Sequence, residues 1–162
     1  MGGVAVVKWQ PAKAVGFYEI TSPSGGAPEI DVQGNGLSIA SGDTTPTVVD
    51  GRDFGRLPVN GSSVEQTFTI TNAGTSALLL NGSPAITLSD ATYFTVTQPI
   101  NLAIANHTAT TFTLTFDPTA AGTHTTTLFI ANNDFDESPY TFDLQGIAAY
   151  SLVTATTGTG SG

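Results

Sequence analysis

The chain contains no cysteine, so neither a disulfide framework nor a thiolate nucleophile is available to it. Only four of its 162 residues are Lys or Arg, against 13 Asp and Glu, and the net charge is −9. Nucleic acids and anionic membrane surfaces attract clustered Lys and Arg, so we expect neither as a partner. No apolar run approaches the ~20 residues of a membrane-spanning helix, which predicts no membrane insertion.

Charged residues of both signs are scarce, at 10% of the chain, and the basic ones are unevenly placed. Residues 1–18 contain Lys8 and Lys13 and no acid, and nothing after Arg56 is basic. A mildly basic segment therefore precedes an acidic body. The apolar run Val4–Val7 is too short for a signal peptide, and Lys8 follows it rather than preceding it. Either the protein is not exported by that route, or Met1 begins a mature or engineered chain, and we favour the second.

Thr, Gly, Ser and Asn take the place of the missing charges, and no window shows an apolar stripe of helical period. Residues 64–72 and 110–116 instead alternate strictly, which places Phe68 and Ile70, and then Phe112, Leu114 and Phe116, on one face. Similar short runs recur every 8 to 12 residues between Gly, Pro and Asn turns. This pattern predicts an all-β antiparallel sandwich of about seven strands.

The organisation of the chain follows from its composition. We predict an N-terminal arm (residues 1–21), a linker (22–28), a sandwich (29–148) and a C-terminal tail (149–162). The arm has two β-prone runs separated by Pro11, and it is too apolar for a free tail. It either packs on its own domain or adds to the sheet of a neighbouring subunit. Its candidate interaction residues are Val4, Val6, Trp9, Val15, Phe17 and Tyr18.

Several short segments recur in a recognisable order. They are Glu29-Ile-Asp-Val, Asp53-Phe-Gly, Phe68-Thr-Ile-Thr-Asn-Ala-Gly, Phe112-Thr-Leu-Thr-Phe-Asp-Pro, Ile130-Ala-Asn-Asn-Asp and Tyr140-Thr-Phe-Asp-Leu-Gln-Gly. Together they resemble the ASPM/SPD-2/Hydin-type (ASH) immunoglobulin-like domain, which also recurs in bacterial choice-of-anchor D surface proteins. The resemblance covers roughly residues 28–148. It implies an immunoglobulin-like sandwich related to the major sperm protein fold, an extracellular or cell-surface location, and no catalytic residues or cofactor.

The densest acidic cluster lies in the loop after Ile130. Ca²⁺ prefers several carboxylate and carbonyl oxygens from a flexible loop, and Asp134, Asp136 and Glu137 offer them. The spacing is not that of an EF-hand, and the same Asn and Asp residues equally suit a tight turn. A calcium site and simple turn chemistry both remain open for this loop.

The sequence offers no set of acid, base and nucleophile, so we expect no enzyme. His107 and His124 are expected at the surface. The first hypothesis is a structural protomer that assembles with other copies of itself, as a homo-oligomer or filament, by donating its arm as a strand. The alternative is a monomeric binding or adhesion module for a glycan or a surface protein, with the Thr-rich strand faces as its platform.

Overall fold

The structure, a computed structural model, describes residues 26–151. That range contains eleven strands and no helix. The strands are β1 (Ile30–Gly34), β2 (Leu37–Ile39), β3 (Asp53–Pro58), β4 (Val64–Asn72), β5 (Leu78–Leu79), β6 (Ile86–Leu88), β7 (Phe94–Thr97), β8 (Ala103–Ile104), β9 (Ala109–Phe116), β10 (Gly122–Ile130) and β11 (Tyr140–Ala149). Four of these have only two or three residues, and the others make up the seven longer strands of the predicted sandwich.

Two sheets form the sandwich. The first has the order β2-β1-β4-β9-β7 and the second β3-β11-β10-β6, while β5 and β8 form a small ribbon. The predicted all-β sandwich is confirmed, and the pairings between its named strands are antiparallel with one exception. β3 runs parallel to β11, with a register irregularity between Gln145 and Ile147. Alternation of apolar residues does not specify this pairing, because both strand directions present the same faces.

The core lies between the two sheets and is built from the alternating positions. Phe68, Ile70, Phe112, Leu114 and Phe116 are at most 2% exposed, as the alternation predicts. Across the sandwich they meet residues of the second sheet, including Phe142, whose ring centroid lies 5.8 Å from that of Phe68. Burying one such side chain contributes about 1.5–3 kcal/mol relative to leaving it exposed. The core therefore holds the position of every loop described below.

The sandwich has two ends, and the paired strands β4 and β9 run from one end to the other. Thr71 pairs with Ala109 at one end, and Val64 pairs with Phe116 at the other. We call the first the proximal end, since it also contains Gly26, where the described chain begins. The distal end contains the loop 89–93 that joins β6 to β7. Eight paired residues place the two ends about 25 Å apart.

A buried arginine fastens the loop between β2 and β3. The Arg52 side chain is 2% exposed, and its Nε and Nη2 donate to Asp50 Oδ2 at 3.0 and 2.8 Å. Its Nη2 also donates to Asp43 Oδ2 at 2.7 Å and to the Thr45 carbonyl at 3.1 Å, and Nη1 donates to the Asp43 carbonyl. All three nitrogen atoms of this guanidinium thus donate hydrogen bonds inside the loop, which makes the network structural.

The two carboxylates of this network are held ionised. Hydrogen bonds from Thr45 and from Arg52 lower the pKa of Asp43 to about 2. Burial acts to raise the pKa of Asp50, but the hydrogen bonds from Arg52 outweigh it and the net shift is downward. Both groups therefore stabilise the fold as carboxylates.

Candidate functional site

The signature segments occupy positions where the fold requires them. In Asp53-Phe54-Gly55, Asp53 Oδ1 accepts from Gly55 N at 2.8 Å, and Gly55 has a positive φ of 70°. The Phe54 ring lies in the core, with its centroid 5.6 Å from that of Phe94 and 5.9 Å from that of Phe116. This triplet closes a sandwich edge.

Asn72 ties together four segments of the proximal end. Its side chain is completely buried, and its Nδ2 donates to Ser76 O at 2.7 Å and to Ile104 O at 3.0 Å. Its Oδ1 accepts from Glu29 N at 3.2 Å and from Gly74 N at 3.0 Å. Both donor and both acceptor positions of the amide are therefore occupied.

The loop between β10 and β11 completes the same end. Asn132 Oδ1 accepts from Asp134 N, and Asn133 Oδ1 accepts from Leu79 N, both at 2.7 Å. The Asp134 carboxylate, 2% exposed, accepts from Ile30 N at 2.9 Å. The Asn-Asn-Asp sequence thus joins this loop to β5 and to the start of β1, so the turn interpretation accounts for these residues.

The calcium candidates are only partly brought together. Glu29, Asp134 and Glu137 each place one carboxylate oxygen within 4.8 Å of the others. Asp136 is not part of this group, whereas Glu29, more than 100 positions earlier, is. Ca²⁺ takes six to eight oxygen ligands, and one Asp134 oxygen already accepts from Ile30. The described geometry therefore supports a structural role for Asp134.

Crowding of these carboxylates affects Glu137. Burial, and then the negative charges of Asp134, Glu29 and Asp136, raise the pKa of Glu137. A carboxyl group with a raised folded-state pKa destabilises the fold above that pKa, and the effect disappears as the pH falls below its unfolded value.

Replacing Glu137 with glutamine is expected to stabilise the protein at pH 7 by about 0.5 kcal/mol, since exposed charge pairs are worth 0.2–1 kcal/mol. Chemical denaturation at pH 7 and pH 4 measures the difference, which should be absent at pH 4. Glu65→Gln, on the exposed face of β4, serves as the matched control. Equal changes in the free energy of unfolding for the two substitutions at pH 7 would contradict the interpretation that the neighbouring carboxylates repel Glu137.

The two histidines lie at opposite ends of the sandwich. His107 follows β8 at the proximal end with a positive φ of 58°, and its N–H donates to Asn72 O. The His124 ring packs on Tyr93 at the distal end, with centroids 4.1 Å apart, and its Nε2 lies 2.9 Å from Ala120 O. Neither histidine contributes to the acidic group.

A groove runs between the two sheets where their edges come together. It has a volume of about 340 Å³ and is lined by residues of β6 and β7, of their connection and of the turn before β6 (Pro84, Ile86, Thr87, Leu88, Ala91, Phe94, Thr95 and Val96). β6 and β7 are the last strands of their sheets. An edge strand presents backbone groups that pair readily with another chain, so this groove combines apolar surface with hydrogen-bonding capacity.

The β7 edge carries the open backbone groups. Asp117 N donates to Tyr93 O at 2.9 Å, and the alternation of an antiparallel ladder then turns the N–H and C=O of Thr95 toward β9. The same alternation turns those of Phe94 and Val96 away from β9. Two residues of β7 therefore offer peptide groups along the groove.

A side chain already pairs with the β6 edge. Gln98 Oε1 accepts from Ile86 N at 2.9 Å, and its Nε2 donates to Ile86 O at 2.8 Å. The carboxamide thus takes the place that a peptide group of an adjacent strand would take. The end of the groove nearer the proximal end is closed by this contact.

Replacing Gln98 with alanine is expected to lower the free energy of unfolding by about 1–3 kcal/mol, because it leaves both backbone groups of Ile86 without their partner. Gln33→Ala removes one surface hydrogen bond, to Asp31 Oδ2, and should change the free energy by no more than about 0.5 kcal/mol. Urea denaturation of both variants measures the effects, and equal values would contradict the role assigned to Gln98.

The predicted arm residues lie outside the described residues, and this applies to Val4, Val6, Trp9, Val15, Phe17 and Tyr18. The last residues of the predicted linker are described. Thr75 N donates to Ala27 O at 2.9 Å, and Ser76 Oγ donates to Gly26 O. The described chain therefore begins at the proximal end, beside the turn between β4 and β5.

Comparison with known proteins identifies the domain. A family model described as a HYDIN/CFA65/VesB-like Ig-like domain matches residues 47–147. The chain belongs to this family. The HYDIN/CFA65/VesB-like match and the β-sandwich confirm the resemblance to Hydin-type domains, and they make the chain a structural or binding module. No curated protein sequence matches the chain at a significant level.

Solved structures share the sandwich at low sequence identity. A protein of unknown function from Porphyromonas gingivalis W83 is 16% identical with a TM-score of 0.55, and the match covers 74% of this chain and 46% of that one. The Vibrio cholerae VesB protease is 14% identical with a TM-score of 0.48, over 75% of this chain and 31% of that one. An ASH / PapD-like domain of human CEP192 is 15% identical with a TM-score of 0.46, over 88% of this chain and 100% of that one. The chain thus spans less than half the length of the first two.

Residues 26–151 form no helix of the length and hydrophobicity that a membrane span requires.

Proposed function

We propose that this HYDIN/CFA65/VesB-like domain is a non-enzymatic structural protomer that self-associates by adding its N-terminal arm to the sheet of a neighbouring copy, at an extracellular or cell-surface location. The observation that carries the proposal is the open edge of β7 beside an apolar groove. Backbone pairing along such an edge gives affinity, and alternate side chains in the groove give specificity.

The charge distribution supports this assignment. All 13 acidic residues except Glu19 follow residue 28, while Lys8 and Lys13 lie in the arm. Of the two arginines in the described body, Arg52 already forms salt bridges with Asp43 and Asp50 of its own loop. Attraction between a basic arm and an acidic body favours encounter between copies and suppresses pairing between two bodies.

Deleting residues 1–24 tests the proposal. The buried cluster of the described chain lies between Ile30 and Leu144, so the deletion leaves the core in place. Size-exclusion chromatography with light scattering should give a multiple of 16.6 kDa for the full chain and the monomer mass for the shortened one. An oligomeric state that the deletion leaves unchanged would refute arm-mediated assembly.

The outer face of the first sheet supports a second candidate, a binding module for a glycan or a surface protein. Thr67 pairs with Thr113, and Thr69 with Thr111, on β4 and β9, while Thr95 and Thr97 of β7 extend the same face. The other predicted Thr face, on β10, belongs to the second sheet. Its threonines therefore do not join this platform. Glycan-array binding that disappears when Thr111 and Thr113 are replaced by alanine would favour this candidate.

A further inference from the structure

We propose that the groove between β6 and β7 is the acceptor site for the arm of a second copy, whose residues 4–7 pair with β7 as an antiparallel strand. This inference rests on the arm-mediated assembly proposed above and names its docking site, segment and direction. It places Val4 opposite Val96 and Val6 opposite Phe94. Assembly through this contact joins the distal end of one copy to the arm of the next.

The other edges of the described sandwich are less suitable for an added strand. On β3, Gly55 has a positive φ of 70°, and Pro58 lacks a donor, features that natural edges use to prevent pairing. β2 has three residues. The β6 edge is paired with the Gln98 side chain at Ile86. β7 remains, with the outward peptide groups of Phe94 and Val96 above an apolar floor.

The residue pattern of the first arm run fits this edge. Successive side chains of a strand point to opposite faces, so Val4 and Val6 share one face, and Ala5 and Val7 the other. The face of β7 toward the groove carries Phe94, which is 2% exposed, and the half-buried Val96. An added strand with Val4 and Val6 on that side extends the core past its present edge.

The distribution of charge favours the first β-prone run of the arm as the donor strand, and it favours the antiparallel direction. With Val4 opposite Val96, Lys8 lies beside Thr92, next to the exposed Asp90 and across from Asp117, whose N–H pairs with Tyr93 O. The second β-prone run carries Glu19 instead of a lysine, and the same acidic end would repel it. Arg56, the exposed cation of the described body, lies on β3, at the opposite edge of the second sheet from β6.

The direction of the strand favours a second copy as the donor. In this orientation residue 8 and the rest of the arm leave the groove at the distal end. The acceptor's own chain enters its body at the proximal end, about 25 Å away, with Gly26 and Ala27 fixed to the turn at Thr75 and Ser76. A donor located beyond the distal end satisfies the geometry directly. The contact is then head-to-tail and leaves an unused arm and an unused groove, so it propagates into a filament unless it closes into a ring.

Cysteine pairing tests the docking site, and the cysteine-free chain gives it a clean background. Full-length Val4→Cys and Val96→Cys proteins are mixed under mild oxidation and resolved on a non-reducing gel. Directly opposite residues lie within disulfide distance, whereas Ala5→Cys points to the other face, so we expect about fivefold more mixed dimer with Val4→Cys than with Ala5→Cys. Equal yields would overturn the assigned register and groove.

A double variant separates exchange between copies from docking within one copy. Val4→Cys combined with Val96→Cys in one chain should give a ladder of disulfide-linked multimers on oxidation. Conversion to an oxidised monomer at every protein concentration would overturn the second-copy assignment. Thermal denaturation of the Val96→Cys protein first checks that the body is folded. Thr95→Cys, whose side chain lies on the opposite face of β7 from those of Phe94 and Val96, replaces it as acceptor control.

Charge reversal provides a readout that does not depend on cysteine. Lys8→Glu and Asp117→Lys should each reduce the light-scattering mass of the full chain, and the two together should restore it. If the full chain is oligomeric but charge reversal leaves its mass unchanged and cysteine pairing shows no preference for Val4→Cys, the groove assignment is wrong while arm-mediated assembly stands. If the full chain is monomeric at all concentrations, both are wrong.

Discussion

Replacing Arg52 with methionine is expected to lower the free energy of unfolding by about 3–5 kcal/mol, the cost of removing one partner from a buried ion pair. Methionine fills much of the same space, but it leaves the Asp50 carboxylate, 12% exposed, without its charged donor. The carbonyl groups of Asp43 and Thr45 lose a hydrogen bond as well. Urea denaturation at pH 7 measures the effect.

Arg56→Met is the matched control, because the same change is made at an exposed position of β3, four residues after Arg52. It should alter the free energy of unfolding by no more than about 0.5 kcal/mol. Equal effects of the two substitutions would show that the Arg52 network contributes nothing beyond its surface charge.

The same network predicts how the stability depends on pH. The Asp43 pKa is about 2 in the folded protein against the ordinary 3.8, with the Thr45 and Arg52 hydrogen bonds as its cause. A depressed carboxyl pKa stabilises the fold fully above the unfolded value, and the contribution is lost as the pH falls toward the folded value. Thermal stability should therefore fall between pH 4 and pH 2, and the fall should be smaller in Asp43→Asn. An identical pH profile for Asp43→Asn would contradict the assignment.

Replacing Asn72 with aspartate is expected to cost about 3 kcal/mol or more, although the two side chains have the same shape. The Nδ2 donor to Ser76 O and Ile104 O becomes an oxygen, which leaves buried carbonyl groups unpaired and introduces a buried charge, at about 1–3 kcal/mol for each unsatisfied group. The acceptor bonds from Glu29 N and Gly74 N persist. Urea denaturation at pH 7 measures the loss.

The control for Asn72 is Asn101→Asp, an exposed asparagine of the connection between β7 and β9. It should leave the free energy of unfolding within about 0.5 kcal/mol of the wild type. Because burial favours the neutral acid, the deficit of Asn72→Asp should also shrink as the pH is lowered from 7 to 4. A loss that is equal in both variants would mean that the amide of Asn72 is dispensable.

Local alternation predicted most of the sandwich, and the reason is the period of two. Phe68 and Ile70, and Phe112 to Phe116, occupy the inward positions that their spacing indicates. The parallel pairing of β3 with β11 was not predictable, since nothing local distinguishes it from an antiparallel pair. The connection from residue 99 to 107 returns to the same sheet, because β7 and β9 are direct neighbours, and nothing local in the sequence indicates this.

The candidate sites were less predictable because they join residues distant in sequence. Asp134 and Glu137 could be selected from their loop, but Glu29 joins them through the contact of Ile30 with Asp134, 104 positions away. Arg52 was recognised only as one of four cations, although the sequence Asp50-Gly51-Arg52 contained the signal of a local ion pair. The groove could not be predicted at all, because two sheet edges must come together to form it.

The signature segments that identify the family hold the fold together. Asn72 and Asp134 fasten the proximal end, Phe54 closes an edge, and Gly146 lies where a Cβ would approach the Phe116 ring to 2.4 Å. No signature residue described above lines the groove between β6 and β7. A search for function within the signature therefore leads to structural residues, and the proposed function depends on the arm and on an edge that the family pattern does not mark.

The most direct test of arm-mediated assembly is a mixing experiment between full-length proteins. A Val4→Asp/Val6→Asp variant keeps its acceptor groove but has a defective donor strand. Its groove therefore binds the arm of a normal copy, and the chain of copies ends there because the variant cannot donate its own arm. Light scattering at fixed wild-type concentration should show the mean assembly mass falling steadily as this variant is added. An assembly mass that stays constant, with the variant present only as separate monomer, would contradict the proposal that each copy donates its arm to the next.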